Sequence, residues 1–79
     1  MREQLSQWIQ EAFDDLFLKT NGEVGEHLGR GIIKIKHDSL TRLLPLIKEE
    51  IQAVNNNLAI TAISSPDKLG FCLINFDLT

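Results

Sequence analysis

Few residues in this chain have types and spacing that could do chemistry. Asp14 and Asp15 are adjacent carboxylates, and a carboxylate pair can divide general acid and base work when both members reach one site. On a helix, neighbours point about 100° apart, so this pair is expected to stand in solvent. His27 and His37, with Glu23, Glu26 and Asp38 near them, offer metal-ligating atoms. Their spacing fits no metal motif, so both histidines read as surface residues and no metal is expected. Cys72 would need an exposed, electropositive setting to act as a nucleophile. It falls instead in an alternating apolar row, where it is a small hydrophobe. Gly29-Arg30-Gly31 precedes a strand instead of opening a helix, so it lacks the geometry of a phosphate-binding loop. Trp8 sits within an apolar stripe and reads as core. The expectation is a non-catalytic protein without a cofactor.

The elements that would position these residues can be read from periodicity. Leu5, Trp8, Ile9, Ala12, Phe13, Leu16 and Phe17 recur at spacings of three and four, one face of a helix over about residues 3–19. Asn21-Gly22 supplies its stop. Residues 22–31 hold four of the five glycines and read as a loop with at most one helical turn. Ile32-Ile33-Lys34-Ile35-Lys36 alternates as a half-buried strand does. Asp38 or Ser39 is the candidate N-cap of a second helix carrying Leu40, Leu43, Leu44, Ile47, Ile51 and Val54. Pro45 should kink that helix or delay its start to about Leu44. Leu58–Ile63 and Phe71–Leu78 are two more strands, joined as a hairpin through Ser64–Gly70. The order α-β-α-β-β predicts an α+β two-layer sandwich. Both helices would pack on one face of a three-stranded mixed sheet, since a strand–helix–strand unit is normally parallel and a hairpin strand is antiparallel.

Composition bounds the function classes. The chain has 79 residues, 43% hydrophobic and 24% charged, with two Pro and a formal net charge of −3, which excludes disordered and collagen-like chains. Residues 1–79 are read as a single small domain. No apolar run approaches the roughly 20 residues that span a bilayer, and Met1-Arg2-Glu3-Gln4 leads into no signal-peptide core. A lone cysteine fits a reducing compartment, so a soluble cytoplasmic protein with no membrane contact is expected. A domain this small has a thin core, and association is a common way to stabilise one.

The sheet face away from the helices is the informative surface. With Ile33, Ile35, Cys72, Ile74, Phe76 and Leu78 turned inward, strand alternation leaves Ile32, Ile63, Phe71 and Leu73 outside. Lys34, Lys36 and Asp77 would rim them, with Thr61 and Asn75 between. Hiding four such side chains, at ~25 cal/mol per Å² of apolar surface, would be worth several kcal/mol. This mixture of apolar and charged residues is that of a protein–protein surface. The expected function is therefore protein interaction through the open sheet face, with a homodimer as the leading case.

Charge is segregated along the chain, and this supports the alternative reading. Residues 1–29 set Arg2 and Lys19 against Glu3, Glu11, Asp14, Asp15, Glu23 and Glu26. Residues 30–48 set Arg30, Lys34, Lys36, Arg42 and Lys48 against Asp38 alone. Arg30, Lys34, Lys36 and Arg42 could contact nucleic-acid phosphates, with the glycine loop allowing close backbone approach. The strand–helix–strand–strand string resembles part of the Alba-type nucleic-acid-binding sandwich in element order, and no residue role comes with that resemblance. A sequence pI of about 5.2 repels polyanions at long range, and Phe71 alone offers a ring for stacking on the sheet face.

Overall fold

The computed structural model describes residues 2–79. Its first helix, α1, spans Arg2–Lys19 and buries Leu5, Ile9, Ala12, Phe13 and Leu16, with Trp8 half-buried against them. Asn21 and Gly22 both adopt positive φ, and the Gly22 N–H donates to the Phe17 carbonyl at 2.8 Å. That left-handed step ends the helix where the Asn-Gly pair predicts it.

The glycine-rich segment is not a loop throughout. It contains strand β1, Glu26–Gly29, which pairs antiparallel with β2, Ile32–Lys36, through a tight turn at Gly29-Arg30-Gly31. Three consecutive positive-φ residues close that turn, two of them glycines. Gly25 makes the entry into β1 possible. At φ +93° it packs on β2 so closely that any side chain would collide with the Lys34 carbonyl.

Helix α2, His37–Val54, follows β2 with no connecting loop. Its N-cap is Lys36, which gives no side-chain cap bond, so neither Asp38 nor Ser39 is the cap. Ser39 lies inside the first turn and donates to Glu23, which also pairs with Arg42. Pro45 neither delays nor interrupts the helix, which runs unbroken from His37 with the proline on its exposed side. Glu50 turns inward and pairs with Lys19, tying the end of α1 to α2. Strands β3, Leu58–Ile63, and β4, Phe71–Leu78, complete the chain.

The sheet has four strands in the order β1-β2-β4-β3, and each adjacent pair is antiparallel. The expectation of three strands and a mixed sheet is thus corrected, while the α+β class stands. Since β2 and β3 both run against β4, they run parallel to each other with β4 inserted between them. The strand–helix–strand rule holds in direction, and β4 splits the unit. Both helices cover one face. Ile33, Ile35, Cys72, Ile74 and Phe76 fill the interface beneath them, together with Val24, Leu40, Ile47, Ile51 and Leu58.

Candidate interaction surface on the open sheet face

Among the described residues no helix packs on the opposite face. Register fixes which side chains it carries, because directly paired residues of neighbouring strands share a face. Ile32 pairs with Asn75, Lys34 with Leu73 and Lys36 with Phe71, so these six stand on the outer face as expected. Asp77 joins them opposite Ala59. Strand β1 adds Glu26, opposite Lys34, and Leu28, which shares Ile32 as a partner with Gly29 and is 48% exposed. Leu28 was missed because its segment reads as loop; the alternation Glu26-His27-Leu28 before Gly-Arg-Gly is the signal that could have found it.

Ile63 is not on this face. Thr61 and Ala62 together oppose Asn75, a β-bulge that adds one residue to β3 and reverses the parity beyond it. The Thr61 hydroxyl donates to the Asn75 carbonyl within the bulge. Ile63 therefore pairs with Ile74 on the helix side, where it lines a groove with Leu44, Lys48 and Ile60. The outer apolar row is Leu28, Ile32, Leu73 and Phe71.

Phe71 is the centre of the basic end of the face. The Lys34 ammonium lies 4.7 Å from the ring centroid and the Lys36 ammonium 5.9 Å, both within cation–π range. The backbone that carries the ring is held by Asp67, whose Oδ1 accepts the main-chain N–H groups of Leu69 and Phe71, each at 2.9 Å. Accepting the Phe71 N–H, and less strongly that of Leu69 and the charge of Lys34, holds the Asp67 carboxyl below its ordinary 3.8. At the other end of the face, Arg30, Ile32, Thr61, Asn75 and Asp77 border a shallow depression.

The four cations of the nucleic-acid reading do not form one surface. Lys34 and Lys36 share the basic end, and Arg30 stands at the far end of the sheet. Arg42 lies in the helix layer, paired with Glu23. A ladder alternates outward side chains, whereas α2 sits behind the sheet, so one phosphate backbone cannot follow all four.

The remaining candidates are scattered. Asp14 accepts from Gln10 at 2.7 Å on the exposed side of α1. His27 is half-buried: its ring lies against Phe13 of α1, with Nδ1 2.6 Å from the exposed Gln10 side-chain oxygen. His37, in the first turn of α2, places Nδ1 3.7 Å from the buried Cys72 sulfur. Among the described residues no three His, Cys, Asp or Glu side chains are grouped to hold a metal ion, and no helix is long and apolar enough to cross a membrane. No protein-family model, curated protein or solved structure matches this chain.

Proposed function

We propose that this chain is a non-catalytic interaction module whose open sheet face packs against a second copy of itself. The observation that carries this reading is the outer-face row Leu28–Ile32–Leu73–Phe71, set over three strands and flanked by charge, with Leu28 exposed and the other three half-buried. Lys36 and Phe71 mark one end of the face and Asp77 the other. Two such faces related by a two-fold axis lying in the interface, perpendicular to the strands, would set Lys36 of each copy against Asp77 of the other. Such an isologous contact needs no other partner.

Area sets the strength. Phe71 to Asp77 spans about 20 Å, and four strands cover about 19 Å at ~4.8 Å spacing, giving a face of nearly 400 Å². A standard interface buries about 800 Å² per partner. The dimer is accordingly expected to be reversible, in a monomer–dimer equilibrium that shifts over an accessible concentration range. Light scattering across that range tests it directly. Phe71→Asp places a carboxylate in the apolar row and should leave a monomer at every concentration, with helical circular dichroism unchanged. A wild-type chain that stays monomeric at the highest concentration overturns the reading, and unfolding of the variant would instead make Phe71 a core residue.

A further inference from the structure

We propose that the contact of His27 with α1 is an acid-sensitive latch, in which protonation of the ring at Nε2 releases β1 from the helix. The hydrogen bonds fix the tautomer. Gln10 Nε2 donates to the Asp14 carboxylate at 2.7 Å, so its carbonyl oxygen is the end that faces His27. That oxygen only accepts, and His27 Nδ1 must therefore carry the hydrogen. The neutral ring keeps its lone pair on Nε2, which is buried and has no partner among the described residues. A lone pair there costs little; a buried N–H carrying positive charge without a protein acceptor costs far more. The ring also lies against Phe13, with centroids 6.1 Å apart.

The charges around the ring are few. Only α1 and β2 pack against β1. From α1 the facing charge is Asp14, already occupied by Gln10. From β2 the partner is Ile33, while Lys34 and Glu26 stand on the other face of the sheet. Burial holds the imidazole below its ordinary 6.5, against the opposing pull of Asp14. The unfolded chain then binds the proton more readily than the folded one. The latch is fully closed above pH 6.5 and opens as pH falls through the folded-state value. Strand β1 is the element to give way, being a four-residue edge strand held on one side only.

The test is NMR on the intact chain. The His27 Cε1–H should titrate with a midpoint below 6.5 in buffer and near it in denaturant. Amide protection in β1, taken relative to β4 and corrected for intrinsic exchange, should fall several-fold between pH 7.5 and pH 5. His27→Asn keeps a donor toward Gln10 but cannot be protonated in this range, and should abolish that fall. A His27 midpoint at or above 6.5, a constant β1-to-β4 ratio, or a fall that persists in the variant overturns the latch. If the variant does not fold, the two wild-type measurements decide it.

Discussion

Phe71 shows how one side chain can face two demands. Its ring lies within cation–π reach of the Lys34 and Lys36 ammonium groups, yet it is only half-buried, so part of its surface remains for a partner. The backbone beneath it depends on Asp67. That carboxylate organises the turn from Ser64 to Gly70 by accepting two main-chain N–H groups, which would otherwise be unpaired in the loop. Asp67→Ala should therefore lower the melting temperature at pH 7. Because the folded-state pKa lies below 3.8, the carboxylate's contribution is whole above that pH and is lost as pH falls through the folded value. The gap between variant and wild type should close in strong acid, and calorimetry at a series of pH values measures it.

Strands β1 and β3 are where local pattern and tertiary pairing part company. Strand β1 exists because Gly25 lets the chain pass directly over the Lys34 carbonyl and because α1 covers its inner side. Gly25→Ala combines a positive φ with a backbone collision and should cost about 3 kcal/mol in chemical denaturation. In β2, alternation assigns adjacent isoleucines to opposite faces. Ile33→Ala opens a cavity in the core and should cost ~2–5 kcal/mol, whereas Ile32→Ala should cost less than about 1 kcal/mol to the monomer. Equal costs would mean that the register is wrong. The bulge in β3 applies the same logic to Ile63, which turns to the α2 side for want of strict alternation.

At the scale of the molecule, sheet order decides what can act together. Strand β4 lies centrally, so its outward row Phe71, Leu73, Asn75 and Asp77 forms the spine of the open face. The helices cover the other side, where Arg42 is paired with Glu23. With that cation removed from the face and a net charge of −3 overall, a fluorescent oligonucleotide should give no anisotropy change even at low salt. A steep, salt-sensitive rise would instead favour a nucleic-acid function centred on Lys34 and Lys36.

Periodicity in the sequence determined α1, α2, β2, β3 and β4, because burial of one face repeats every 3.6 or every two residues and leaves a record in residue type. It also determined six of the seven residues assigned to the open face: Ile32, Lys34, Lys36, Phe71, Leu73 and Asp77. Strand β1, the split pairing of β2 and β3 around β4, and the placement of Ile63 were decided only by tertiary structure. The alternation of β1 covers only Glu26, His27 and Leu28 between glycines, too short a run to stand out from a loop. The identity of a strand's neighbour lies in long-range pairing, and a bulge adds a residue without changing composition. The surroundings of His27 belong to the same class, since what matters there is that Nε2 is buried with no partner among the described residues.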